Sequence, residues 1–389
     1  MDKTIKSALV IGGNSGIGLA LMIRLLERGC ETVYCVGKDP INEKDIEPEC
    51  REEILSHIVQ KACNLVNENY DFLTEYQDVD ALIYTAGFGR VAEFSTLTEM
   101  EMDNAISVNL KGAMHAIRAY YGKIRSATPF YCAVMGSIAG HIASPLFSVY
   151  GATKSGLCAF MENLNVELAH DGIENRILDV SPGSIKGSNF SGGGNHLAQL
   201  YPLADEILDH MLQRETVYIP DYDSVYRGVI ERYQKDPMQF GVESYDYKTP
   251  RISDKPQGII GYLSGTFDLF HIGHLNLLRR AKEQCDYLIV GVHKDGSWKG
   301  KETFIPFEER VAILRSIRYV DKVVPSFPED SDAYDAFGIH RLFVGSDYLG
   351  TERFLRYEEY FADKDVKIVY FPYTKGTSST QLREALEKK

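Results

Sequence analysis

The sequence predicts an α/β chain: two doubly wound parallel-sheet domains in tandem. Three observations carry that expectation. Over the first 190 residues, short apolar runs alternate with amphipathic stretches of helical period. The alternation breaks at a polar stretch with two prolines, "YDYKTPRISDKPQ" (Tyr245–Gln257), and restarts at Gly258. Each half also carries a glycine-bearing turn between a strand and a helix, "GGNSGIG" (Gly12–Gly18) and "GTFDLFHIGH" (Gly265–His274). Both domains are therefore expected to be Rossmann-like, one at 1–244, a linker at 245–257, and a smaller one at 258–389.

The elements follow in order. "SALVIGG" is an apolar strand closed by glycines, and "GLALMIRLLERG" is a helix that ends at a glycine. "TVYCVGK" is the second strand; "DALIYTAG", "FYCAVMGS" and "NRILDVSPG" are later ones, the last stopped by Pro-Gly. Residues 191–215 begin with glycines and turn helical. Their place just after a strand end suggests a lid over a substrate pocket rather than a plain connection. "DSVYRGVIERYQKDP" is the last helix of the first domain. Beyond the linker, "GIIGYLSGTFD", "DYLIVGVH", "HRLFVGSD" and "VKIVYFP" are strands with helices between them. No internal repeat or low-complexity tract is present.

Bulk properties narrow the function. The chain has 389 residues and a 44% apolar fraction, enough for two real cores. A net charge of −13 argues against nucleic-acid binding through the overall field. No run of about 18 apolar residues occurs, so no membrane span is expected. The N-terminus lacks the pattern of a secretory signal. Seven dispersed cysteines without a CxxC pair suit a reducing cytoplasm and predict neither disulfides nor a zinc site.

The turn at Gly12, Asn14, Ser15, Gly16, Ile17 and Gly18 allows close approach of a pyrophosphate to a helix N-terminus. Its spacing resembles the TGxxxGIG pattern of the short-chain dehydrogenase/reductase family, with Gly12 taken at the threonine's place. Further motifs match in order. "YTAG" supplies Ala86 and Gly87, with Thr85 replacing an asparagine, a departure expected to loosen the sheet there. "SVNLKG" supplies Asn109, "MGSIAG" Ser137, "YGATK" Tyr150 and Lys154, and "SPGSI" Pro182, Gly183 and Ile185. The resemblance covers about residues 5–190. Tyr150 and Lys154, four apart, share a helix face. A lysine ammonium beside a phenol favours phenolate, so the tyrosine pKa is expected to fall and the phenol to hand a proton to a carbonyl oxygen. Ser137 would hold that oxygen. By resemblance, Asn109 would anchor a water relay behind Lys154. The bland alternative, a surface Tyr/Lys pair, leaves Ser137 and Asn109 in register without a reason.

The resemblance also bears on cofactor choice. NAD-preferring members carry an acid where this chain has Gly37; here Lys38 follows, which suits the 2′-phosphate of NADP(H). Asp39 comes too late for the NAD role.

In the second half, His271 and His274 are three apart at a helix start, where they can hold a triphosphate and stabilise a departing pyrophosphate. Metal ligation would want a third ligand, and none stands in pattern. The stretch resembles the HxGH nucleotidyltransferases, and within them the glycerol-3-phosphate cytidylyltransferase group, over about residues 258–386. The resemblance implies a CTP site of Gly265, Thr266, Phe267, Lys299, Lys301, Arg318, Asp347, Thr374, Ser378, Ser379 and Thr380, with Mg²⁺ on the triphosphate. "IRYVDKV" and the hydroxyl-rich "YTKGTSST" favour CTP over ATP. Tyr373 and Lys375 stand where the group has arginine and glutamate, a departure that bears on nucleotide or acceptor-phosphate binding.

A reductase makes an alcohol, and this cytidylyltransferase group activates a phosphorylated polyol. The joint expectation is reduction of a sugar phosphate such as ribulose 5-phosphate, then transfer from CTP to give a CDP-alditol such as CDP-ribitol or CDP-glycerol. That logic is similar to bifunctional enzymes serving capsule or teichoic-acid-like polymers. Two alternatives stay open: two domains in one pathway without a shared intermediate, the reductase acting on an unphosphorylated carbonyl, and a nucleotide-sensing scaffold of inactive domains. Both families often dimerise, so a homo-oligomer is implied.

Overall fold

A computed structural model describes residues 5–66, 70–188, 190, 195–251, 258–294 and 303–372. The chain divides into two compact units, Met1–Gln257 and Gly258–Lys389.

The first unit is built on β1 (Ser7–Ile11), β2 (Thr32–Gly37), β3 (Ile58–Ala62), β4 (Ala81–Tyr84), β5 (Tyr131–Met135), β6 (Ile177–Val180) and β7 (Val217–Tyr218). All pairings are parallel, in the order β3-β2-β1-β4-β5-β6-β7. The order reverses at β1, between β2 and β4, which opens a crevice at the strands' C-terminal ends. Helices cover both faces. Gly16–Glu27 and Leu197–Leu212 bury one core with the near face of the sheet; Ala113–Ile124 and Ser148–His170 bury the other.

Helix Gly16–Glu27 is apolar almost all round, with Leu19, Ala20, Leu21 and Met22 fully buried, because it is sandwiched between the sheet and Leu197–Leu212. Arg24 and Arg28 lock the two helices together through Asp205 and Asp209 at 2.6–2.9 Å. This corrects the lid reading over 195–215; residues 191–194 lie outside the described residues. Leu197, Leu200, Ala204, Ile207, Leu208 and Met211 are core residues, so the helix is a fixed wall. Ser188 and Asn195, ahead of it, lie over Gly16 of the glycine turn. Asn195 is tied at 2.8 Å to Asp45.

The end of this unit also differs from expectation. Tyr222–Tyr226 is a π-helical turn leading into helix Arg227–Lys235. A further helix, Pro237–Lys248, follows, started by Pro237 and capped by Asp236 accepting from the Gln239 N–H. The first residues of the stretch taken as linker, Tyr245–Lys248, are therefore helical, and Thr249–Arg251 continues as a 3-10 turn.

The second unit carries β8 (Ile260–Gly265), β9 (Tyr287–Val292), β10 (Lys322–Pro325), β11 (Arg341–Gly345) and β12 (Lys367–Phe371). They are parallel, in the order β10-β9-β8-β11-β12, with helices Ile272–Lys282, Phe307–Arg315, Asp332–Phe337 and Glu352–Phe361 in the connections. Lys282, buried in an ion pair of 2.6 Å with Asp321, also donates to the Asp286 carbonyl. Asp321 accepts from the Leu288 N–H at 2.6 Å. The aspartate of "IRYVDKV" thus joins a helix end to β9.

Candidate active sites

At the crevice of the first unit the glycine turn forms a cradle. Gly12 has φ 91°, and a Cβ there would lie 2.4 Å from the Ala86 nitrogen. A Cβ on Gly18 would lie 2.3 Å from the Gly12 carbonyl oxygen. Counting back from Gly16 and Gly18 puts Gly12 at the pattern's first glycine, and Ile11, the last residue of β1, at the threonine's place. Ser15 precedes helix Gly16–Glu27 without a side-chain capping bond, and no acid stands in the first turn. The helix's first N–H groups therefore face the crevice, as a pyrophosphate requires. Thr85 donates to the Gly12 carbonyl at 3.0 Å, so it ties β4 to the turn instead of loosening the sheet.

At the end of β2, Gly37 has a specific neighbour. A Cβ there would lie 2.4 Å from Asn14 Oδ1. The room left by Gly37 is taken by the Asn14 amide, and Lys38 is exposed beside it. Ile17 and Ile185 turn their side chains to the core, which leaves their main chain for a nucleotide. The Pro182 carbonyl accepts from the Ile138 N–H at 2.9 Å, which joins the "SPG" turn to the Ser137 loop.

Beside this cradle the four polar residues converge. Asn109 lies in a π-helical turn, Ser107–Gly112, fully buried. It exchanges two 2.9 Å hydrogen bonds with the Phe88 main chain and donates to Thr153 Oγ1. A Cβ on Gly87 would meet both Asn109 Oδ1, at 3.2 Å, and Lys154 Nζ, at 3.4 Å, so the two flank that glycine. Lys154 is buried and donates to the Met135 carbonyl at 2.6 Å. Its ammonium sits 5.8 Å from the centre of the Tyr150 ring. Burial lowers its pKa to about 8, against the opposing pull of Cys158 and Asp179.

Tyr150 is shifted upward, the reverse of the sequence expectation. Burial is the dominant cause, and the hydrogen bond with Ser137 pulls only partly back. The phenol is therefore held protonated, ready to donate. Phe147 and Phe190 wall the ring at centroid distances of 5.2 and 5.5 Å. Gly89 supports its other side, where a Cβ would lie 2.6 Å from Tyr150 Cδ2.

Sequence reasoning missed Phe147, Phe190, Gly89 and Tyr226. A Cβ on Gly183 would lie 1.6 Å from the Tyr226 hydroxyl oxygen, so a residue beyond β7 reaches the "SPG" turn. Among the described residues one group has metal-ligand character: His141, Cys158 and Asp179, with donor atoms within 4.8 Å of one another. The Ser181 hydroxyl lies among them, 2.7 Å from Asp179, 3.0 Å from His141 and 3.7 Å from Cys158. We assign no metal there.

In the second unit, His271 caps helix Ile272–Lys282 by accepting from the Gly273 N–H through Nδ1 at 3.0 Å. The single proton of the neutral ring is then on Nε2. The His271 and His274 rings stack at 4.0 Å. Burial lowers both pKa values, that of His274 to about 4, with His271 pushing the same way and Asp268 opposing. Near neutral pH both rings are therefore uncharged.

The loop between β8 and this helix is strained, with Phe267 at φ 52° and Leu269 at φ 48°. Phe267 buries its ring in the core, leaving only its main chain to meet a nucleotide. Gly265 accommodates that ring, since a Cβ there would lie 2.9 Å from Phe267 Cε2. Two residues that sequence reasoning passed over hold the loop. Arg310, 1% exposed, donates to the carbonyls of Thr266, His293, Lys294 and Ile305. Asp268 accepts from the Phe304 and Ile305 N–H groups. Asp347 is exposed at the end of β11, its carboxylate over Gly345. Arg318 lies over the Tyr319 ring at 5.5 Å. Lys299, Lys301, Tyr373, Thr374, Lys375, Ser378, Ser379 and Thr380 lie outside the described residues.

A doubly wound unit with a glycine cradle beside Ser137, Tyr150 and Lys154 is of the dinucleotide-dependent oxidoreductase class, and an HxGH helix start beside β8 is of the nucleotidyltransferase class. The short chain dehydrogenase family matches residues 6–194, and the cytidylyltransferase-like family matches 262–385. A glycerol-3-phosphate cytidylyltransferase of Staphylococcus aureus is 37% identical over 126 residues, 31% of this chain and 90% of the relative. An uncharacterized oxidoreductase of Listeria monocytogenes is 30% identical over 189 residues, 47% of this chain and 76% of the relative. A short-chain dehydrogenase of Sphingobium yanoikuyae, solved with NADPH, superposes with a TM-score of 0.49 at 22% identity over 60% of this chain and 96% of its own. The chain belongs to the short-chain dehydrogenases in its first part and to the cytidylyltransferase-like proteins in its second. No helix among the described residues is long and apolar enough to cross a membrane.

Proposed function

We propose that this chain reduces a keto- or aldo-sugar phosphate to an alditol phosphate with NADPH and then couples that product to CTP, giving a CDP-alditol and pyrophosphate. The observation that carries the reading is the convergence of Asn109, Ser137, Tyr150 and Lys154 in one unit, with an HxGH site in the other unit of the same chain. The reductase part extends through helix Pro237–Lys248, and the transferase part begins at Gly258.

The glycine cradle, the uncapped helix start and Lys38 fit a phosphorylated dinucleotide. NADP(H) supplies or accepts hydride when bound there. Ser137 holds the substrate carbonyl oxygen by a hydrogen bond. Tyr150, kept protonated by burial, gives that oxygen its proton; the Lys154 ammonium balances the phenolate this leaves until a proton returns to it from solvent. In the second site a phosphate oxygen of the alditol phosphate attacks the α-phosphorus of CTP in line, and pyrophosphate leaves with Mg²⁺ carried on the nucleotide's own phosphates. His271 and His274 donate to the phosphoryl oxygens. A CDP-alditol is a donor for polyol-phosphate polymers of the capsule or teichoic-acid type.

The test is incubation of the protein with NADPH, CTP, Mg²⁺ and a panel of ketose and aldose phosphates, read by product mass. A CDP-alditol that forms from a keto-phosphate only when NADPH is present is the expected result. CDP products from alditol phosphates, with no keto-phosphate reduced, would overturn the coupling.

A further inference from the structure

Ser181 directly follows β6 and is fully buried. Its hydroxyl has one proton and two lone pairs. It donates to Asp179 Oδ1 at 2.7 Å and accepts from the Ser137 N–H at 3.1 Å. The third partner, His141 Nε2 at 3.0 Å, must then be a donor, because the single hydroxyl proton is already used. The same imidazole nitrogen is 3.6 Å from Asp179 Oδ2. Asp179 is 2% exposed. The backbone is shaped around this cluster: a Cβ on Gly136, next to Ser137, would lie 2.1 Å from Asp179 Oδ1 and 2.5 Å from Ser181 Oγ.

We propose that Asp179, Ser181 and His141 are positioning residues for reduction, acting together to hold Ser137 against the substrate oxygen and Tyr150. The inference rests on the reductase roles given above for Ser137 and Tyr150. The Ser137 main chain is anchored by a hydroxyl that is itself oriented by a buried carboxylate and an imidazole N–H. The anchor comes from the residue just past the end of β6, the strand paired with the β5 that leads into the loop it steadies. Ser137 can therefore meet substrate in one rotamer while its backbone stays fixed.

The cluster carries charge as well as geometry. The titratable groups around Lys154 are Tyr150 and Cys158 on its own helix and Asp179 on β6. Asp179 opposes the burial that depresses Lys154. Removing its charge should move the Lys154 limb of the pH–rate profile to lower pH, a change that loss of packing alone would not produce.

The experiment compares the full chain with Asp179→Asn, Ser181→Ala, His141→Ala and His141→Gln, using ribulose 5-phosphate and NADPH, with NADPH affinity from fluorescence as the check on fold. The first three are expected to lower kcat about tenfold, the scale of losing a charge-assisted hydrogen bond, with KM and NADPH affinity near those of the parent. Glutamine keeps an N–H donor in place of Nε2 and should restore most of the rate. Asp179→Asn alone should shift the pH limb. Parent-like kcat in all variants, or a loss in Asp179→Asn with the pH limb unmoved, would overturn the proposal.

Hydrogen exchange of the peptide carrying Ser137 gives a reading that does not depend on turnover. It should quicken in Ser181→Ala, and unchanged protection would overturn the anchor whichever carbonyl the enzyme takes. Tyr150→Phe separates the two levels. Retained reduction in that variant means the site reading has failed. Loss there, with parent-like Asp179→Asn, means only this inference has.

Discussion

Lys154 shows most directly how the site opposes stability. Its pKa is lowered from 10.5 to about 8 by burial. An unfolded lysine binds its proton below 10.5, whereas the folded one binds it only below about 8. Stability is therefore lost as pH falls through that window and stays reduced below it. The shift corresponds to about 3 kcal/mol, offset by about 1 kcal/mol from the bond to the Met135 carbonyl. Lys154→Met should abolish reduction yet stabilise the first unit by about 2 kcal/mol at neutral pH, a gain that fades toward pH 10.5 in denaturant titrations. A variant less stable at pH 7 than the parent would contradict the assignment. At the other end of the cofactor site, Lys38→Ala should weaken NADPH about tenfold and NADH little, measured by nucleotide fluorescence. Equal losses would exclude Lys38 from the 2′-phosphate. The contact between Gly37 and Asn14 adds a condition. Gly37→Asp alone should not admit NADH, because the new carboxylate meets the Asn14 amide; Gly37→Asp with Asn14→Ala should.

At the scale of elements, helix Ile272–Lys282 carries a pH signature. His274, buried at its first turn, has its pKa lowered from 6.5 to about 4. The unfolded imidazole takes up a proton below 6.5 and the folded one does not until about 4. The second unit should therefore lose up to about 3 kcal/mol as pH falls through that range, and His274→Ala should flatten that part of the curve even while lowering its plateau. Buried Asp330 is shifted upward by desolvation and contributes in the opposite sense, and His271, itself lowered by burial, contributes in the same sense; both residues are present in both proteins, so the difference between the curves reports the loss of His274. A parallel pair of curves would show that the histidine titrates normally. The elements also show what the sequence made legible. β1, β2, β4, β5 and β6, and β8, β9, β11 and β12, are apolar runs bounded by turn residues, and each stood out. β3 and β10 are edge strands, partly exposed and without a continuous apolar signature, and β7 is two residues long. Linear motifs brought Ser137, Tyr150, Lys154, His271 and His274 into view. Arg310, Tyr226 and the Ser181 cluster stayed hidden because they act through partners distant in sequence, or through backbone carbonyls that no side-chain pattern records.

At the scale of the whole molecule, each unit has its own sheet, its own core and its own site, so the two reactions are expected to be separable on one chain. Tyr150→Phe removes the proton donor proposed for reduction and changes no residue of the second unit. His274→Ala removes one of the stacked rings at the transfer site and leaves the glycine cradle intact. Each variant alone should therefore fail to turn a keto-sugar phosphate, NADPH and CTP into a CDP-alditol, for different reasons. The first should still consume CTP when given an alditol phosphate, and the second should still oxidise NADPH. Mixing the two variants distinguishes how the intermediate travels. An alditol phosphate released to solvent from the active reductase unit of one chain can be taken up by the active transferase unit of another, so the mixture should make CDP-alditol, at a rate that rises with protein concentration after a lag. An intermediate confined to the chain that made it would leave the mixture as inactive as its parts. Product mass from the mixed variants against a wild-type control decides between the two.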